Sequence, residues 1–165
     1  MNKIIICIGI GVLVLVGLVW IARPDVQNAS SAISTNSNGT LTVEEESSYD
    51  FGSISMVAGK VKHTFKIKNT SNEAVVISKM YTSCMCTTAT LAIGSKQFGP
   101  FGMPGHGATP LINQTINPNE EASVEVVFDP AAHGPAGVGR IQRVVTLENN
   151  SGQQVELQFS AAVTP

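Results

Sequence analysis

The chain has 165 residues, of which 13% are charged and 5% aromatic, with a net charge of −2. That length supports one core-bearing domain with appendages. All twelve Asp and Glu lie after residue 23, against eight of the ten Lys and Arg, so that portion carries net −4 and offers no electrostatic footprint for nucleic acid or anionic lipid.

Residues 4–22 read IIICIGIGVLVLVGLVWIA, nineteen residues without a charge. As a helix they would span roughly 28 Å, close to the hydrocarbon core of a bilayer. Lys3 precedes the run, Arg23 and Pro24 follow it, and Trp20 sits where an interfacial aromatic belongs. A cleaved signal peptide has a shorter apolar run and a small-residue cleavage site close behind it, whereas Ser30-Ser31-Ala32 lies far downstream. The expectation is an uncleaved transmembrane anchor over 1–23, with the rest of the chain extracytoplasmic, in the periplasm or at the cell surface. Cys7 reads as a small apolar residue of that segment.

Residues 24–40 are rich in Ser, Asn and Thr and poor in large apolar side chains, which predicts a flexible tether. From 41 to 165 the pattern is β throughout. Val61, His63, Phe65 and Ile67 alternate with Lys62, Thr64, Lys66 and Lys68, giving a half-buried strand with a basic outer face. Asn69-Thr70-Ser71-Asn72 signals a turn before a strand running to Met80. Asn117-Pro118-Asn119 signals another before Val124, Val126 and Phe128. Residues 141–147 and 155–163 complete the set, joined by Asn149-Asn150-Ser151-Gly152. This rhythm predicts an all-β fold: an immunoglobulin-like β-sandwich of about seven strands, monomeric and soluble once freed of its anchor. Residues 92–112 break the rhythm with Gly94, Gly99, Pro100, Gly102, Pro104, Gly105, Gly107 and Pro110. They read as an inserted Gly/Pro-rich loop that is either a surface insertion or folds back over the preceding strand.

Cys84-Met85-Cys86 carries the chemistry of the chain. In an extended strand both thiols would share one face with Cα atoms about 6.6–7 Å apart, too far for a relaxed disulfide. Four uses remain open: a soft-metal site, a thiol redox couple, a disulfide with a partner, or two small buried core residues. For a metal, thiolate and thioether donors favour copper(I), with Met80, Met103 and His106 as companions to Cys84 and Cys86. His63 reads as packed against the sandwich. His133 shows no visible partner, and Glu44-Glu45-Glu46 reads as a solvated edge. No nucleophile, base and orienting group fall into a catalytic pattern, so an enzyme is not expected.

Asp50-Phe51-Gly52, HTFKIKNTSNEAVVISKMYTSCMCT (63–87) and INPNEEASVEVVFDP (116–130) resemble the bacterial domain-of-unknown-function family 1573. That family is an immunoglobulin-like sandwich related to pilus-chaperone, major-sperm-protein and ASH-type domains. The resemblance covers nearly all of 49–163. It maps the family's cysteine pair onto Cys84 and Cys86, with Met85 in place of the usual glycine and 92–112 as an insertion. It implies a secreted or envelope-anchored domain. The functional expectations are a membrane-anchored binding or scaffold module with an unidentified envelope protein as partner, or a copper- or thiol-handling envelope protein.

Overall fold

The computed structural model describes residues 41–105 and 110–165. The anchor expected at 1–23, the tether at 24–40 and His106 lie outside those residues. Among the described residues no helix is long and apolar enough to cross a membrane.

Among the described residues, ten strands form two five-stranded sheets. One sheet runs, edge to edge, β1 (Leu41–Val43), β3 (Val61–Asn69), β8 (Glu121–Phe128), β5 (Thr87–Ile93), β6 (Lys96–Phe101). The other runs β2 (Ser48–Ser55), β10 (Val155–Thr164), β9 (Gly139–Asn149), β4 (Val75–Thr82), β7 (Gln114–Ile116). Neighbours pair antiparallel except β2 and β10, which are parallel. The all-β sandwich read from the alternation is therefore present. Strands beyond the expected seven include the two three-residue edges, β1 and β7, which are too short to show a period, and β6.

Alternation sets the layers. Phe65, Ile67, Val124 and Leu91 from the first sheet meet Ile77, Met80, Leu157 and Phe159 from the second in one apolar cluster. The opposite face of β3 is basic, as expected, and β8 answers it: Lys62 lies 3.1 Å from Glu125 and Lys68 lies 3.0 Å from Glu121. These exposed pairs favour register more than stability. His63 sits half-buried against the Tyr49 ring, 3.7 Å between centroids and 10° from parallel. Burial holds its pKa below the usual value, with Glu45 pulling the other way.

The reading of 92–112 as one loop is corrected. β5 continues to Ile93, Gly94 turns the chain at φ +56°, and β6 returns along β5. Its Phe98 and Phe101 pack on the core. Gly99 hides the strand in the sequence, yet the strand requires it: a Cβ there would lie 2.9 Å from the Ala89 carbonyl oxygen. Beyond β6 the chain stays tied to the second sheet, since Thr82 N–H donates to Gly102 O at 3.2 Å and Ile112 N–H to Ser78 O at 2.9 Å.

Asn69 pins the turn after β3. Fully buried, it donates to Glu73 O at 2.7 Å and Ile116 O at 2.9 Å, and accepts from the Ser71 N–H and hydroxyl at 3.0 and 2.7 Å. Asn69→Ala orphans a buried carbonyl and opens the turn. It is expected to cost roughly 2–3 kcal/mol, read as a lower urea midpoint at unchanged slope. A loss below about 0.5 kcal/mol would mean the turn holds without it.

Candidate functional site

The expectation that Cys84 and Cys86 sit in a strand is corrected. β4 ends at Thr82 and β5 begins at Thr87, so both cysteines occupy the tight connection between them. The turn is held from several sides. Ser83 N–H donates to Val144 O at 2.9 Å, and Ser83 Oγ accepts from Val144 N–H at 3.0 Å. The buried Thr82 hydroxyl lies 2.9 Å from Cys84 O and 3.1 Å from Thr87 O. Curling the chain this way brings the two Cα atoms to 5.3 Å, inside the range a disulfide tolerates, and Cys84 and Cys86 are bonded to each other.

Two further side chains converge on the sulfurs. His133 Nε2 lies 3.1 Å from Cys84 Sγ. Arg143 Nε donates to Cys86 Sγ at 3.4 Å. Cys86 N–H itself points at Cys84 Sγ, 3.3 Å away. Cys84 is 8% exposed and Cys86 3%, so the first cysteine is the slightly more accessible residue. Met85 between them is 56% exposed.

His133 reaches the site through the connection from β8 to β9. Asp129 N–H donates to Cys86 O at 2.9 Å, and its carboxylate accepts from Ala131 N–H at 2.9 Å, which folds the chain back on itself. Gly134, at φ +54°, then leads into a short 3-10 turn over Gly134–Gly137. A Cβ on Gly137 would come within 3.2 Å of His133 Cβ, so that glycine leaves room for the imidazole. Arg143 comes from β9, in register with Phe159. Among the described residues no carboxylate pairs with it.

The expectation that His133 lacks a partner is thus corrected, and Arg143 joins the site without having been expected there. Arg143 does leave a signal: it shares strand parity with Ile141, Val145 and Leu147, an inward face for a cation. His133 leaves none, because only the tertiary fold brings it to residue 84. Of the other proposed ligands, Met80 is fully buried on the core face of β4 and Met103 lies half-buried just beyond Gly102. A separate open depression of about 510 Å³ lies on β2, β10 and β9, lined by Asp50, Arg140, Gln142 and Ser160. The Gly52 N–H and then the Ser160 hydroxyl hold the Asp50 carboxyl below its usual pKa, with burial opposing them and the Arg140 charge adding a lesser pull downward. It holds no thiol or histidine.

The arrangement defines a class: an all-β sandwich with a disulfide in an inter-strand turn, flanked by an imidazole and a guanidinium. Residues 41–97 match the family described as "Protein of unknown function (DUF1573)". It is the family that the Phe-Gly, turn and Cys-x-Cys motifs resemble, and the matched segment includes the cysteine turn. No curated protein matches the sequence. Among solved structures, a protein of unknown function from Porphyromonas gingivalis W83 is similar at TM-score 0.54 and 14% identity, over 75% of this chain and 46% of its own. The Vibrio cholerae VesB protease is similar at 0.51 and 16%, over 78% of this chain and 33% of its own. Domain 7 of human CEP192, described as ASH/PapD-like, matches at 0.42 and 12%, over 76% of this chain and 85% of its own. This chain spans less than half the length of the first two. At these identities the first two likenesses concern the fold alone.

Proposed function

We propose that the chain is a membrane-anchored, extracytoplasmic immunoglobulin-like module that exchanges disulfides with thiols through Cys84 and Cys86. The observation that carries this reading is the pair of flanking groups, His133 and Arg143, one on each sulfur. The apolar segment 4–22 supports the anchor, and an oxidising compartment suits the disulfide. Of the two functional expectations from the sequence, a scaffold module and a copper- or thiol-handling protein, this takes the thiol-handling one.

Size argues against a structural staple. The bridge closes a loop of about three residues, which in the chain-entropy account constrains the unfolded state by only about 1.6 kcal/mol. A scaffold would have no use for a half-buried guanidinium on one sulfur. An exchange site does. An incoming thiolate attacks Cys84 Sγ, forming a new S–S bond as the Cys84–Cys86 bond breaks. Cys86 leaves as a thiolate, stabilised by Arg143 and later by a proton from solvent. A second thiol of the partner then attacks the partner's own sulfur in the mixed disulfide. That releases Cys84 as a thiolate beside His133 and the Cys86 N–H, and the partner departs as a disulfide. Two electrons move from partner to protein, the protons of the partner's thiols pass to solvent, and the Cys86 thiolate draws its own proton from solvent.

The test equilibrates the full chain, carrying Cys7→Ser, with a small dithiol and its disulfide, and counts free thiols by alkylation and mass. The folded protein is expected to interconvert between none and two. Arg143→Gln should shift the equilibrium toward the disulfide by roughly tenfold, the worth of one charge-assisted hydrogen bond. A disulfide that opens only when the protein unfolds would overturn the proposal, as would an Arg143→Gln equilibrium equal to wild type.

A further inference from the structure

The ligand atoms of Cys84, Cys86 and His133 all lie within 4.8 Å of one another. We infer that the reduced Cys84–Cys86 pair and His133 form a three-coordinate site for monovalent copper, which the disulfide closes. The inference rests on the reading above in one respect: the pair must be reducible in the folded protein.

Geometry comes first. Thiolate and imidazole donors bind such metals at about 2.0–2.3 Å, so three donors around one ion stand about 3.5–4 Å apart. Cys84 Sγ and His133 Nε2 are already at 3.1 Å, and the tight turn keeps the second sulfur beside them. Opening the S–S bond lets the sulfurs separate to that spacing with little movement of the backbone.

Donor chemistry selects the ion. Two thiolates and one imidazole are a soft set. The cluster offers three such residues, enough for copper(I), whereas structural zinc asks for four ligands. His133 takes the place that the sequence gave to Met80, Met103 or His106.

Charge and access fit as well. Two thiolates around a monovalent ion leave one net negative charge, and the Arg143 Nε–H already points at Cys86 Sγ. The Cys86 N–H does the same for Cys84 Sγ. His133 is exposed, so an ion can arrive from its side without opening the core. A disulfide sulfur carries no thiolate charge, so metal and disulfide exclude each other. An external dithiol that reduces the pair, becoming a disulfide itself, would make the site available.

The experiment uses the full chain with Cys7→Ser, reduced by a phosphine and freed of it without oxygen. Two free thiols are verified by alkylation and mass, and the protein is titrated with copper(I) against a competing chelator. One copper per chain is expected for the reduced form and none for the disulfide form. His133→Ala and His133→Gln should each weaken binding by at least about tenfold, the lower end of what losing a mere supporting contact costs a metal site. Met103→Ala should leave affinity unchanged. No uptake by protein with two verified thiols would overturn the inference, as would wild-type affinity in both His133 variants or equal uptake by the disulfide form. Because the phosphine replaces the dithiol, failure of dithiol exchange beside intact copper uptake would sink only the exchange function.

Discussion

Cys86→Ser is expected to accumulate a mixed disulfide on Cys84 when mixed with an aromatic disulfide reporter, while Cys84→Ser reacts at least about tenfold more slowly. The asymmetry follows from access. Cys84 is the more exposed residue, and its sulfur borders the exposed His133. Cys86 is 3% exposed, and its sulfur is in contact with the Arg143 side chain and the Thr87 hydroxyl. With Cys86 gone, Cys84 still attacks the reporter, and no neighbouring thiol remains to expel it. With Cys84 gone, the surviving thiol is stabilised but shielded. Neither serine variant should lose more than about 1–2 kcal/mol, because the loop that the bridge closes is so short. Colour release from the reporter gives the rates, and thermal melts give the stability. Equal rates in the two variants would overturn the proposed preference for Cys84, and a faster Cys84→Ser would reverse the direction of attack. No reaction in either folded variant would make the pair structural.

The strands with strict alternation are legible in the sequence itself. β3, β8 and β10 each bury every second side chain over much of their length, and a two-residue period has one interpretation there. β6 is not legible, because Gly99, Pro100 and Gly102 carry the composition of a loop while the backbone through them serves a strand edge and its exit. The cysteines stand out as the chemical centre, but their spacing suggests a strand. The hydroxyl of Thr82 and the Ser83–Val144 pairing curl that segment, and such contacts leave no period in a sequence. Arg143 is readable in principle, as a cation at a core-facing position of β9. His133 is not, since its contact spans forty-nine residues and depends on how the Asp129 turn folds back.

Phe159→Ala is expected to have the largest effect on stability, about 3–5 kcal/mol from a total of roughly 5–15. The ring is 1% exposed and sits where the two sheets meet. It meets Phe51 edge-on, 5.5 Å between centroids at 83°, and Phe128 at 5.4 Å and 51°. Those partners come from β2 and β8, so one side chain links the two sheets. Alanine leaves a void that the neighbouring rings cannot fill, and the contacts on its walls are lost along with the transfer free energy. Leucine retains most of the volume and should cost about half as much or less. The void also lies under the site. Phe159 is in register with Arg143, and Phe128 precedes the Asp129 N–H that holds the Cys86 carbonyl. The alanine variant should therefore open its disulfide to a small dithiol faster than wild type under conditions where both remain folded. Urea midpoints at constant slope measure the first effect, and alkylation time courses measure the second. A loss below about 1 kcal/mol would mean the neighbouring rings collapse into the space. An unchanged reduction rate at a full stability loss would mean the cysteine turn is held by Thr82 and Ser83 alone, independent of the packing beneath it.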